Sequence, residues 1–363
     1  MMIKENPHSD LAIPPGEYLG EVLSELGMTK NELARRMNRP APKLSAIFNG
    51  DKAITPDTAL QLEKVTRVPA HIWVGLESEY RLTLARNQEA AEYQRLKEES
   101  ELITKFCYSE LVKLGKVQKK AKPVEKVQEL HRFFGVTSLH NLASLKRYQA
   151  VYRQGKGKRS PEATAAWLRI GELEGQKTSS PRFNKDALSE TLPKIRKMTL
   201  KTPDTFVPKL RELLLNAGVV LVLLPHLPKT FLHGATFRVG LKKAVLMLTL
   251  RGGWADLFWF SLFHEIGHLL LHDKNIVFLE GDHYNSDLKY EKEADTFAAN
   301  TLIPPKAFED FVNADSFSSN DIEQSSRILE IDPGIVVGRL QHDGYIKNSW
   351  HNTLRSRYEW GDS

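Results

Sequence analysis

The sequence predicts a multidomain, mostly α chain with one small β-sheet: an all-α head followed by an α+β C-terminal half. Three observations carry this. Apolar residues recur at helical spacing along most of the chain. Only residues 216–250 are dense in β-branched strand formers. The 363 residues exceed what one ordinary core holds. With 41% hydrophobic and 26% charged residues, a disordered chain, a collagen-like fibre and a pure coiled coil are excluded.

The head comes first. Residues 28–50 read MTKNELARRMNRPAPKLSAIFNG. Thr29 is placed as an N-cap, with Glu32 three residues on to complete a capping box. Leu33, Ala34 and Met37 form the inner face of one short helix, and Leu44, Ile47 and Phe48 that of the next. Asn38-Arg39-Pro40 is the turn between them, and Gly50 stops the second helix. Two short helices joined by a tight turn give helix-turn-helix geometry, whose second helix enters the major groove. The net charge of +6 is compatible with such a partner. Candidate DNA contacts are Lys30, Arg39, Lys43, Ser45, Asn49 and Lys52. Ala41 and Pro42 begin the second helix and offer only apolar contact, so phosphate binding with modest base specificity is expected.

A helical connector is expected over 81–180. Phe133, Phe134, Trp167 and Leu168 read as its core. Its breaks are the basic run GKGKRSP at 155–161 and the run TSSP at 178–181. The lysines between Lys116 and Lys122 read as a solvated face. Strands follow at Gly218–Pro225, Leu232–Val239 and Lys243–Leu250. Gly240-Leu241 is a hairpin turn, and a small antiparallel sheet is expected.

The strongest chemical signal is Phe263-His264-Glu265-Ile266-Gly267-His268, inside the apolar helical run Ala255–Leu271 that Asp256 can cap. On a helix, residues four apart share a face, so His264 and His268 can aim both imidazoles at one metal ion. Glu265, one step round, is placed to serve as general base for a water. Downstream, Glu291 and Asp295 are again four apart on a helical stretch. Glu291 can supply a third ligand while Asp295 accepts a hydrogen bond from a ligand histidine. Glu293 is the alternative ligand. His272 extends the ladder, but a fourth protein ligand would close the position that catalysis needs, so it reads as near-site or surface. His283 or Tyr284, in the loop between the two helices, can stabilise an oxyanion.

On these residues the sequence resembles the ImmA/IrrE family of gluzincin-type metallopeptidases. DLFWFSLFHEIGHLLLH and EKEADTFAANTLIP, between Asp256 and Pro304, carry the resemblance, which extends over about residues 180–350. It implies an α+β zincin-like fold over 181–363, Zn2+ bound by His264, His268 and Glu291, and Glu265 as the catalytic residue. Members of the family cleave, or promote loss of, DNA-bound repressors. The head resembles Xre/Cro-type helix-turn-helix domains over about residues 12–80. With ITPDTAL at 54–60 and Ile72-Trp73 it is closer still to HigA-type antitoxins.

The expected function is therefore a DNA-binding regulator carrying a zinc endopeptidase. Its partners are operator DNA, a repressor or toxin as protein substrate, a small toxin, and a second copy in a homodimer. The alternative is a non-catalytic antitoxin and autorepressor that keeps the zinc domain for sensing or toxin binding. Cys107 stands alone and forms no internal disulfide. The longest apolar run, Val219–Leu224, is far short of the ~20 residues a membrane span needs. A soluble cytoplasmic protein is expected.

Overall fold

A computed structural model describes residues 11–154, 159–240, 242–272, 278–281 and 288–361. The chain divides into two compact units, Met1–Glu98 and Glu99–Ser363.

The first unit holds α1 (Pro15–Glu25), α2 (Lys30–Arg36), α3 (Ala41–Phe48), α4 (Pro56–Thr66) and nearly all of α5 (Ala70–Glu99). Its core gathers one face of each short helix: Leu19, Leu23, Leu33, Leu44, Ile47, Leu62 and Trp73 are buried together. Thr29 caps α2 as its sequence position predicts, its Oγ1 accepting from the Glu32 amide at 3.2 Å. The reciprocal half of the capping box is not made, because the Glu32 carboxylate pairs with Arg36 along the helix. Asn38 takes a left-handed conformation (φ 50°), which lets the chain reverse between α2 and α3 within four residues.

The second unit contains α6 (Tyr108–Lys113), α7 (Pro123–Phe134), α8 (Lys146–Gln154), α9 (Pro161–Lys177), α10 (Lys185–Lys197) and α11 (Pro203–Asn216). Then come β1 (Val219–Leu223), β2 (Leu232–Val239), β3 (Lys243–Leu248), α12 (Ala255–Leu271), β4 (Phe278–Gly281), α13 (Leu288–Leu302), α14 (Pro305–Asn313), α15 (Ser319–Leu329) and α16 (Pro333–His342). The sheet order is β1-β3-β2-β4. The sheet is mixed rather than antiparallel throughout: β1 runs parallel to β3, with Val220 opposite Val245, while β2 is antiparallel to both β3 and β4. The reason is that β3, after the hairpin with β2, occupies the place beside β1. Val239 faces Lys243 across that hairpin, whose Gly240 has positive φ; Leu241 lies outside the described residues.

The sheet is covered on both faces, so β3 is apolar and buried from Ala244 to Leu248 instead of alternating. Leu221, Leu246 and Leu248 join Trp259, Leu262, Phe263 and Ile266 of α12 in one core. On the other face lies α9. Its Gly171 and Gly175 sit so close to Met247 and Val245 that an added Cβ would fall 2.2 and 2.5 Å from their side chains. This helix belongs to the stretch expected as a connector, yet it forms a full layer of the sheet's packing. Each large side chain buried in these layers contributes about 1.5–3 kcal/mol.

The C-terminal tail straps the start of α12. Ala255 N donates to Ser356 O at 3.0 Å, Tyr358 N to Gly253 O at 2.8 Å, and Trp259 Nε1 to the Tyr358 hydroxyl at 3.0 Å. Asp256 is held by Arg355 at 2.8 and 3.1 Å, both side chains being under a tenth exposed. The Asp256 carboxylate, expected as the N-cap of α12, instead lies inside its first turn and pairs with the tail; Trp254 occupies the cap position without a side-chain bond.

Candidate functional site

α12 is buried along most of its length because its aromatic face meets the sheet and its other face meets α13. That burial carries His264, Glu265 and His268 into the interior at 2%, 0% and 1% exposure. Gly267 lets α13 approach: a Cβ there would lie 3.0 Å from the Phe297 ring and 3.4 Å from Ala294 Cα. The approach sets Glu291, in the first turn of α13, against the two histidines.

The Nε2 atoms of His264 and His268 stand 2.9 Å apart. Glu291 Oε2 is 3.2 Å from the first and Oε1 is 3.5 Å from the second. One ligand atom from each of the three residues falls within 4.8 Å of the others. The outer nitrogens fix the tautomers. His264 Nδ1 is 2.8 Å from Asp295 Oδ1, and a carboxylate can only accept, so the ring proton sits on Nδ1 and the Nε2 lone pair faces the cluster. Burial, the largest influence, lowers the His268 pKa and favours the neutral ring a metal needs. Two inward nitrogen lone pairs and a carboxylate form a donor set suited to Zn2+, so these residues fit such an ion.

Glu265 lies beside this cluster against the backbone of β2. A Cβ on Gly234 would fall 2.6 Å from its Oε1. The sequence gives a signal for this contact only as a glycine inside a strand, which marks close approach by another group. Beyond Asp295, a cavity of about 390 Å3 opens between α12, α13 and α16. Leu257, Phe260, Ala299, Leu302, Ile303 and Ile335 make its walls mainly apolar, with Arg339, His342 and Asp343 also lining it. His272, expected near the site or on the surface, is buried beside the cluster, and Glu293 stands 3.0 Å from its ring instead of in the ligand set. His283 and Tyr284 lie outside the described residues.

In the first unit the six expected DNA contacts separate. Lys43 and Ser45 are exposed on α3 near Ala41 and Pro42, while Asn49, its C-cap, and Lys52 are exposed just beyond its far end. The Ser45 hydroxyl donates back to Ala41 O at 3.2 Å. Lys30 lies with its Nζ 4.2 Å from the Phe48 ring centroid. Arg39 is held by Gln61 at 2.7 Å and Asp57 at 2.8 Å, which ties the turn to α4. Arg35, which the sequence does not single out, is exposed and lines a concave surface with Asn31, Asn38 and Ala41. Its signal was the four-residue spacing from Asn31.

Comparison with known proteins bears on both units. Residues 21–73 match a family described as helix-turn-helix, and residues 256–319 match one described as the IrrE N-terminal-like domain, a peptidase family. Over 75 residues the chain is 32% identical to virulence-associated protein I of Dichelobacter nodosus, an alignment covering 20% of this chain and 69% of that protein. The chain belongs to the Xre-type helix-turn-helix family and carries an IrrE-like peptidase-family domain.

An uncharacterized HTH-type transcriptional regulator, YddM of Escherichia coli strain K12, is 29% identical over 83 residues, or 23% of this chain and 86% of that one. Among solved structures, an addiction module antidote protein of a HigA family from Coxiella burnetii is 34% identical, covering 23% of this chain and 91% of that one, with a TM-score of 0.22. The helix-turn-helix of this family is a DNA-binding domain, and here it is α2 and α3. The motif HEIGH and Glu291 of the IrrE-like domain fall on the clustered residues described above. No helix among the described residues is long and apolar enough to cross a membrane.

Proposed function

We propose that this chain is a DNA-binding regulator whose second unit is a zinc-dependent endopeptidase acting on a regulatory protein. The observation that carries the reading is the convergence of His264, His268 and Glu291 donors within 4.8 Å, with Glu265 wholly buried beside them. A site that only stabilised the fold would have no use for a buried carboxylate that is not a ligand.

His264, His268 and Glu291 would hold Zn2+, and Asp295 keeps the His264 ring oriented through the 2.8 Å bond to Nδ1. The ion supplies a Lewis acid that polarises a scissile carbonyl and makes water a stronger acid. Glu265 takes the proton from the attacking water and gives it to the leaving amine. Its burial keeps bulk water from competing for that proton. The mainly apolar cavity beyond Asp295 receives a side chain of the substrate polypeptide. The substrate is a repressor, a partner toxin or the chain itself. In the first unit, Lys43, Asn49 and Lys52, with Lys30 and Ser45, form the face toward operator DNA, engaged as a homodimer.

The test uses the full-length protein. Metal analysis should find about one zinc per chain, and His264→Ala should abolish it. Glu265→Gln should keep the zinc and lose cleavage of a peptide mixture. Retention of all cellular function by Glu265→Gln would instead make the protein a non-catalytic antitoxin and autorepressor that binds a small toxin.

A further inference from the structure

We propose that His272 is a positioning residue for His268, acting as an imidazole link between that histidine and the Glu293 carboxylate. The proposal rests on the reading of His264, His268 and Glu291 as metal ligands.

The two histidines of the cluster are oriented by different devices. His264 is held directly by a carboxylate, Asp295. Among the described hydrogen bonds, His268 Nδ1 meets another nitrogen, His272 Nδ1, at 2.9 Å. Two ring nitrogens at that distance share one proton, so one donates and the other accepts. The far side of His272 decides which. Its Nε2 stands 3.0 Å from Glu293 Oε2, and the carboxylate accepts. With its proton on Nε2, His272 offers a lone pair at Nδ1 and must accept from His268 Nδ1–H. The Nε2 lone pair of His268 is thereby turned toward His264 and Glu291. A carboxylate that is nearly half exposed thus sets the tautomer of a fully buried ring two steps away.

The local fold builds this link. α12 ends at Leu271, and His272 has left the helix for extended backbone (φ −109°, ψ 172°), while its amide still donates to His268 O at 3.2 Å. That turn swings the ring off the helical drift and back over His268. The Tyr290 ring, 4.7 Å away between centroids and tilted by 47°, backs it from α13. His272 is 6% exposed, so its polar atoms are matched by protein rather than by bulk water.

Removing a group that orients a metal-ligating histidine weakens metal binding by about 10–100-fold. The experiment measures the zinc dissociation constant of the full-length protein by competition with a chromogenic chelator, with His264→Ala as the control that binds none. His272→Phe should raise the constant by about 10–100-fold and alter the visible spectrum of the cobalt-loaded protein. Glu293→Gln, whose amide oxygen still accepts, should stay near wild type, whereas Glu293→Ala should weaken binding at least about threefold. The double variant His272→Phe/Glu293→Ala should be no worse than His272→Phe alone, because both cut one chain of contacts.

Glu293 is partly exposed, so its variants keep the test decisive should His272→Phe fail to fold. A residue that merely ties α12 to α13 would lower the melting temperature of the metal-free protein and leave zinc affinity and the cobalt spectrum unchanged. That result, or additive losses in the double variant, overturns the proposal. Absence of zinc binding by the wild-type protein overturns the metal-centre reading itself, and the two failures are thus distinguishable.

Discussion

Gly234→Ala is the sharpest perturbation the structure offers. The added Cβ would fall 2.6 Å from Glu265 Oε1, 2.8 Å from Cγ and 3.1 Å from Cδ, where ordinary contact begins at 3.4 Å. The carboxylate must therefore retreat by about 0.8 Å, taking the distance at Oε1 as the guide. Glu265 is 0% exposed and has no solvent side to retreat into. Gly234 is paired on both sides, with Leu248 of β3 and, next to a register shift at Leu232, with Glu280 of β4, which restrains the strand from giving way. A misplacement of about 1 Å costs on the order of 100-fold in rate, or about 2.7 kcal/mol of barrier. Because His264, His268 and Glu291 are untouched, zinc content should stay at the wild-type level. The assay is single-turnover cleavage of a peptide mixture by zinc-loaded protein, read by mass spectrometry, alongside metal analysis and a melting curve. A cleavage rate within a factor of about three of wild type would refute the role given to the Glu265 position. So would a loss of rate accompanied by an equal loss of zinc.

Other expectations follow from the same contacts. Arg355→Leu leaves the buried Asp256 carboxylate without its partner and should cost about 3–5 kcal/mol at pH 7 by denaturant unfolding. Burial, the largest influence, already raises the Asp256 pKa, so the native state holds its proton more tightly than the unfolded chain does. Stability from this group is therefore lost as pH rises through the folded pKa, and the deficit of the variant should shrink as pH falls from 7 toward 4; a deficit independent of pH would count against it. Lys43→Ala should weaken binding to DNA at low salt and flatten the salt dependence by about one ion. Arg39→Ala should instead lower the melting temperature of the first unit with the salt slope unchanged, since its guanidinium serves Gln61 and Asp57. Ala299→Phe, which fills part of the cavity beyond Asp295, should shift cleavage toward sites with smaller side chains; an unchanged cleavage pattern would remove the cavity from substrate binding.

How much of this was legible in the sequence follows from how local each feature is. The spacing His264-x-x-x-His268 and the repeat of four between Glu291 and Asp295 are read directly, because a helix places such pairs on one face whatever surrounds it. The two short helices of the head were equally plain from their apolar faces and from Asn38-Arg39-Pro40. The mixed sheet was not, since parallel and antiparallel partners of β1 leave the same apolar pattern when both faces are buried. Arg39 reads as a free cation in sequence; only the fold brings it to Asp57, eighteen positions away.

The sequence by itself determined which residue types were available for metal, proton transfer and phosphate contact, because helical periodicity is a property of the backbone. Only tertiary structure decided which of them meet. Gly267 admits α13 to α12 and delivers Glu291 to the histidines, while Gly234 leaves room for Glu265. His272, a third histidine on the same ladder, leaves its helix and turns to Glu293 instead of joining the cluster. These choices depend on sub-ångström clearances between elements far apart in the chain, which periodicity does not encode.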